Sequence, residues 1–220
     1  MKAMILAAGR GERLRPLTDH TPKPLIEVGP RTLIGHHLAG LARAGFEDVV
    51  INVAYRGRQI IEVLGDGSHW GLRLHFSEET PGELDTGGGV RNALALLGEG
   101  PFALISADVF TDFDYARLQA HGDADVHCVL VDNPAHHVDG DFGLNQGVLM
   151  DAAPRFTYAG MGVFDSARFA ARDTQRFALS AVIREALQAG TASGEHHAGS
   201  WIDVGRPSAL EQARSMVMKG

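Results

Sequence analysis

Short apolar runs alternate along this chain with stretches of helical period, and the two rhythms divide it into strands and helices. Ala3-Met4-Ile5-Leu6-Ala7-Ala8 is apolar without interruption and stops at Gly9, the pattern of a strand buried on both faces. Thr32 can cap a helix in which Leu33, Ile34, His37, Leu38, Leu41 and Ala42 recur at helical spacing until Gly45 ends it. Asp48 to Val53 reads as a strand, Gln59 to Leu64 as a short helix closed by Gly65-Asp66-Gly67, and Leu72 to Phe76 as an alternating strand. Gly89 to Leu97 has helical character, and Phe102 to Ser106 is again a fully apolar strand. Strands and helices in alternation predict a mostly parallel sheet with helices on both faces.

Beyond Asp125 the rhythm changes. Val126 to Val131, Leu144 to Met150 and Phe156 to Phe164 read as strands separated by Asn-Pro, Gly-Asp and Asp-Ala-Ala-Pro turns, with no helix between them. That order predicts a small antiparallel extension. Helices around Ala178 to Leu187 and Ser208 to Met218 bracket one more strand, which carries Trp201 and Asp203. There is no repeat, heptad or low-complexity segment, so the expectation is one Rossmann-like α/β domain over residues 1–220. Ligands of such sheets bind at the carboxyl ends of the strands, where Gly9, Ser106 and Asp108 all fall.

The first of those strand ends carries the strongest chemical signal. Gly9-Arg10-Gly11-Glu12-Arg13-Leu14-Arg15-Pro16-Leu17-Thr18 is followed by Thr21-Pro22-Lys23-Pro24-Leu25. Two glycines let backbone N–H groups approach an anion, while Arg10, Arg13, Arg15 and Lys23 surround the point with positive charge. A dinucleotide fingerprint would need a third glycine and a Walker A loop would need Gly-Lys-Ser/Thr; neither is present. Lysine occurs only at positions 2, 23 and 219, and Lys23 lies between two prolines that restrict its backbone. A flexible ammonium on a stiff backbone suits a phosphate whose charge moves during reaction.

In its order and length this segment resembles the signature of the sugar-1-phosphate nucleotidyltransferase family, Leu-x-Ala-Gly-x-Gly-x-Arg-Leu-x-Pro-Leu-Thr followed by Pro-Lys-Pro. Later anchors are Asp85-Thr86-Gly87-Gly88-Gly89, Val131-Asp132-Asn133-Pro134, Gly140-Asp141-Phe142 and the segment from Ser193 to Gly205. The likeness spans nearly the whole chain and is greatest to a uridylyltransferase branch of cell-wall sugar recycling. It implies UTP and a muramyl sugar 1-phosphate as substrates. Residues 1–124 would then serve the nucleotide and residues 125–220 the sugar. Lys23 and Arg13 are the implied catalytic cations, with Leu6, Ala8, Gly9, Gly11, Glu12, Asp85, Thr86 and Gly88 around the nucleotide. Ser106, Asp141, Gly143 and Gly160 are implied around the sugar phosphate, and Asp108 with Asp203 as ligands of Mg²⁺. The family usually shows Asn-Gly ahead of the first of these acids, where this chain has Ser106-Ala107. A guanylyltransferase for mannose or heptose 1-phosphate, and a nucleotide-binding module without turnover, are alternative readings; the joint presence of Lys23, Arg13, Asp108 and Asp203 argues against the second.

Composition narrows the picture further. The 220 residues are 45% hydrophobic without any long apolar run, which leaves no membrane span. The apolar stretch at the N-terminus is too short for a leader's hydrophobic region, so a cytoplasmic protein is expected. A net charge of −7 argues against broad nucleic-acid binding, which needs a basic face. The single cysteine, Cys128, allows no internal disulfide and reads as a small core residue. Histidines pair at 36/37, 136/137 and 196/197, but without partner cysteines or a His-x-x-x-His helix they do not read as a zinc site. His136 and His137 are candidates for the sugar pocket. Oligomeric state leaves no mark on the sequence, and a monomer is compatible with it.

Overall fold

A computed structural model describes residues 1–121 and 124–218, so Lys219 lies outside the described residues. The first apolar run forms β1 (Ala3–Leu6), followed by the small hairpin β2 (Glu27–Val28) and β3 (Arg31–Thr32), then β4 (Asp48–Val53), β5 (Arg73–Glu78) and β6 (Pro101–Ser106). Between them run α1 (Leu33–Arg43), α2 (Gly57–Leu64), α3 (Asp85–Asn92) and the single turn α4 (Leu94–Leu97). Thr32 caps α1, its hydroxyl accepting from the Gly35 N–H at 3.1 Å, a contact of about 1 kcal/mol. β1 pairs in parallel with β4 on one side and β6 on the other, and β5 extends the sheet beyond β4, also in parallel.

The second half adds β7 (Val109–Thr111), β8 (Val126–Val131), β9 (Phe142–Asn145), β10 (Val148–Met150), β11 (Arg155–Asp165), β12 (Ala192–His196) and β13 (Trp201–Asp203). Its helices are α5 (Ala116–Gln119), α6 (Ala167–Ala170), α7 (Leu179–Gln188) and α8 (Pro207–Val217). Among the described residues, nine strands make one mixed sheet in the order β5-β4-β1-β6-β11-β8-β12-β10-β9. The expected antiparallel extension is therefore no separate lobe. β11, eleven residues long, pairs antiparallel with β6 through its last five residues and with β9 through its first two, which carries the main sheet directly into the second half. β12 runs parallel to β8 inside that half, a pairing the helix-free sequence pattern did not predict.

Alternation along the strands sends side chains to two cores. Ile5, Ile51, Ile105 and Val129 pack with Ile34, Leu38 and Ile60 on one face, while Met4, Val50, Leu104 and Cys128 pack with Phe102, Phe169, Val182 and Ile183 on the other. A third cluster joins Leu14, Ile26, Val28 and Leu33 to Ile202, Val204 and Leu210 of α8's neighbourhood.

The glycine cluster is also placed differently from expectation. α3 begins at Asp85, four residues ahead of the helical stretch expected from Gly89, and buries Gly87, Gly88 and Gly89 in its first turns. The N–H groups of Gly87 and Gly88 both donate to the Phe177 carbonyl, at 2.9 and 3.1 Å. A Cβ on Gly88 would lie 2.2 Å from the Gln175 oxygen, and one on Gly87 would lie 2.5 Å from the Phe177 ring. Close packing against residues 175–177 is what requires glycine here.

Candidate active site

A cavity of about 310 Å³ opens at the carboxyl ends of β1, β4 and β6, lined by Leu6, Ala8, Gly9, Arg10, Lys23, Asn52, Glu79, Asp85, Thr86, Ser106 and Asp108. Gly9 faces open space where a Cβ would stand. Gly11 and Glu12 are not among the lining residues. Gly11 has φ +65° and lies so close to Thr18 and Lys23 that a Cβ would come within 3.0 Å of both side chains, and its carbonyl accepts from the Thr18 hydroxyl at 2.9 Å. It shapes the loop around Lys23. Glu12 faces Arg10 at 3.6 Å, both exposed. Thr86 points its hydroxyl to the Leu179 N–H at 2.8 Å, and Asp85, at φ +61°, accepts from the Thr86 N–H at 2.6 Å. Gly88 is turned away into the packing against Gln175 and does not line the cavity.

A second cavity of about 360 Å³ adjoins the first and shares Ser106 and Asp108 with it; its other walls include Arg13, His136, His137, Tyr158, Gly160, Trp201 and Asp203. The two strands β7 and β13 build one wall of the second cavity. Asp203 is in register with Val109, and the Val204 N–H donates to the Asp108 carbonyl at 2.9 Å. Lys23 Nζ lies 2.8 Å from Asp108 Oδ2 with its side chain only 9% exposed, whereas Asp108 is 41% exposed. Arg13 stands 4.0 Å from Asp203 Oδ2, and a Cβ on Gly205 would sit 2.7 Å from its guanidinium. Each carboxylate thus faces one cation. Two carboxylates opening on one cavity are hard oxygen donors, a set that fits a small divalent cation with phosphate or water completing its shell.

β11 is irregular where it passes this site. Its pairing with β8 shifts register between Tyr158 and Gly162, and Gly160, at φ +73°, would place a Cβ 3.0 Å from Ser106 Cβ. Such a bulge turns the strand toward a ligand space. Trp201 Nε1 donates to the Ala159 carbonyl at 2.9 Å, tying β13 to the bulge.

Asp141 and Gly143 are not among the residues lining either cavity. Asp141 instead accepts from the Tyr158 N–H at 2.8 Å and meets His137 Nε2 at 3.1 Å, so its carboxylate holds the residues behind the wall. Gly143 pairs within β9, where a Cβ would lie 2.3 Å from the Ala152 oxygen. Asn52 and Glu79 were not expected. Asn52 Oδ1 accepts from the Ala7 N–H at 2.8 Å and its Nδ2 donates to Glu79 at 2.5 Å, bracing the start of the glycine loop. Burial raises the Glu79 carboxyl against the opposing hydrogen bond from Asn52. The available signal was a polar side chain at the end of an otherwise apolar strand, Val49-Val50-Ile51-Asn52.

Comparison with known proteins adds names for what is similar. Residues 2–145 match the family model described as Nucleotidyl transferase. The chain is 44% identical to the N-acetylmuramate alpha-1-phosphate uridylyltransferase of Neisseria meningitidis, over 98% of either protein. It is 38% identical to the mannose-1-phosphate guanyltransferase of Kluyveromyces lactis, but over 62% of this chain and 40% of that one. A Bacillus anthracis protein solved with sucrose superposes with a TM-score of 0.88 over 98% of this chain and 94% of its own, at 19% identity, which is a likeness of fold.

Proposed function

The chain belongs to the nucleotidyl transferase family, and from that premise we propose that it transfers a uridylyl group from UTP to N-acetylmuramate 1-phosphate. The observation that carries the reading is the pair of cavities that meet at Ser106 and Asp108, one at the glycine loop and one at the bulge of β11. The whole-length likeness to the Neisseria meningitidis enzyme supports this choice of substrates over mannose 1-phosphate and GTP.

In the reaction, an oxygen of the sugar 1-phosphate bonds to the α-phosphorus of UTP, and the bond from that phosphorus to the bridging oxygen breaks to release pyrophosphate. The nucleophile is already anionic near neutral pH, so no general base is required. Lys23, held at the seam by Asp108, and Arg13, beside Asp203, offset charge on the α-phosphate and the leaving group. Gly9 allows the UTP phosphates to lie against backbone, and the shared wall holds the two anions in line. Asp108 and Asp203 would hold Mg²⁺, which when bound neutralises phosphate charge as a Lewis acid. His137, positioned by Asp141, faces the sugar.

The test is a pyrophosphate-release assay with four nucleoside triphosphates and a panel of sugar 1-phosphates. With UTP, kcat/KM for N-acetylmuramate 1-phosphate is expected to exceed that for N-acetylglucosamine 1-phosphate at least ~10-fold, the scale of a few missing contacts. Equal efficiency on the two sugars, or preference for GTP with mannose 1-phosphate, overturns the assignment.

A further inference from the structure

Lys23 is rooted in a stiff part of the chain. It opens a single turn of 3-10 helix between Pro22 and Pro24, and its stem lies against Gly11, where a Cβ would stand 3.0 Å from Lys23 Cβ. Beyond that root the methylene stem still rotates, so the ammonium can change partners without any movement of the backbone. In this structure its partner is Asp108 Oδ2, at 2.8 Å, and the side chain is nearly buried. An ammonium has three donors, and this bond uses one. Lys23 also lines the cavity at the glycine loop together with Gly9 and Arg10, whereas Asp108 lines both cavities. The ammonium thus borders the phosphate space while it holds the carboxylate.

The charges of the seam balance without any ligand. Asp108 and Asp203 are opposed by Lys23 and Arg13, so these four side chains sum to zero. A bare divalent cation meets no net attraction from them, and at Asp108 it finds an ammonium already on the oxygen. Binding there requires either displacing Lys23, which strands a nearly buried charge, or lying beside it against its repulsion. A triphosphate changes both conditions. Its oxygens offer Lys23 and Arg13 new acceptors, which leaves two uncompensated carboxylates on one cavity, the donor set a small divalent cation needs.

We propose that the Lys23–Asp108 pair is a lock on the cation site. It keeps a free divalent cation off Asp108, and a nucleoside triphosphate releases it by drawing the ammonium onto its phosphates, so that cation and nucleotide enter together. This rests on the reading of Asp108 and Asp203 as cation ligands given above. Arg13 is no such lock, because it is largely exposed and water screens its 4.0 Å contact with Asp203. Coupling of this kind is reciprocal: removing either partner of the lock must favour the ligand of the other.

The test measures binding, not turnover, on the metal-stripped full chain. Mn²⁺ is titrated without nucleotide, and the free ion is followed by electron paramagnetic resonance. Lys23→Ala is expected to bind Mn²⁺ ~10-fold more tightly than wild type, the effect of one well-formed and partly shielded pair, while Arg13→Ala stays within ~3-fold. Lys23→Gln repeats the measurement with most of the stem in place should alanine disturb the fold. Adding Asp108→Asn to Lys23→Ala should abolish the gain. In the reciprocal arm, calorimetry in excess chelator follows UTP; Asp108→Asn should bind it ~10-fold more tightly than wild type, and Asp203→Asn, which removes the same charge, within ~3-fold. Lys23 variants that bind Mn²⁺ no better than wild type, an equal gain in Arg13→Ala, or a gain that survives Asp108→Asn overturns the lock. The Mn²⁺ arm contains no nucleotide or sugar, so its failure leaves the substrate assignment standing, whereas a preference for GTP with mannose 1-phosphate in the turnover assay overturns that assignment alone.

Discussion

Asp108→Asn and Asp203→Asn remove the same charge from the same cavity, yet the structure separates their effects on stability. Repulsion between two carboxylates would make either asparagine stabilising, but a cation at each carboxylate changes the sign for one of them. Lys23 is 9% exposed and bonded to Asp108 at 2.8 Å, so asparagine there leaves a nearly buried ammonium without its counter-charge. Breaking a fully buried pair costs about 3–5 kcal/mol, and a surface pair contributes about 0–1 kcal/mol. Asp108 is 41% exposed and water in the cleft can reach Lys23 Nζ, which puts the expected loss at about 1–2 kcal/mol. For a domain of this size that is a fall in Tm of about 3–6 °C. Arg13 is 61% exposed and 4.0 Å from Asp203, so Asp203→Asn should move stability by less than ~0.5 kcal/mol. Thermal melts by circular dichroism, in chelator and low salt at neutral pH, measure both. Equal shifts, or an Asp108→Asn protein that melts at or above wild type, would refute the assignment of Lys23 to Asp108.

Lys23→Ala should fold, because the carboxylate it abandons is open to the cleft, and lose on the order of 10²-fold in kcat at saturating UTP; more than about half of wild-type kcat would remove Lys23 from catalysis. Gly88→Ala should lower stability by about 1–3 kcal/mol, because its methyl would meet the Gln175 oxygen at 2.2 Å; an unchanged urea midpoint would contradict this packing role. Burial lowers His37 to about 4, against about 6.5 in the unfolded chain, so the unfolded state binds the extra proton first as pH falls. Stability should therefore decline from pH 7 to 5 by about 2 kcal/mol from this group, and His37→Gln should flatten that slope; identical slopes in the two proteins would rule it out.

Much of the site was legible in the sequence because it depends on local order. An apolar strand that ends in Gly9 exposes a loop at the sheet's rim, and the same logic places Ser106 and Asp108 at the end of β6. Lys23 between prolines, and Arg13 four residues after Gly9, needed no tertiary information to stand out. Where side chains are absent, local pattern fell short: Gly87 and Gly88 carry no apolar period to mark the start of α3, which uses them to approach Phe177 and Gln175.

What sequence alone determined is the strands and longer helices with a clear apolar period, the glycine loop with its cations, and the family to which the motif order belongs; β7, β12 and the β2–β3 hairpin left no such mark. The tertiary structure decided which of those elements meet. β11 joins both halves into one sheet, Lys23 finds Asp108 across 85 residues, Asp141 lies behind His137 instead of in the cavity wall, and His127 faces Glu195. The physical reason is range: periodicity and turn chemistry act over a few residues, while strand pairing and burial select partners by fit across the whole chain.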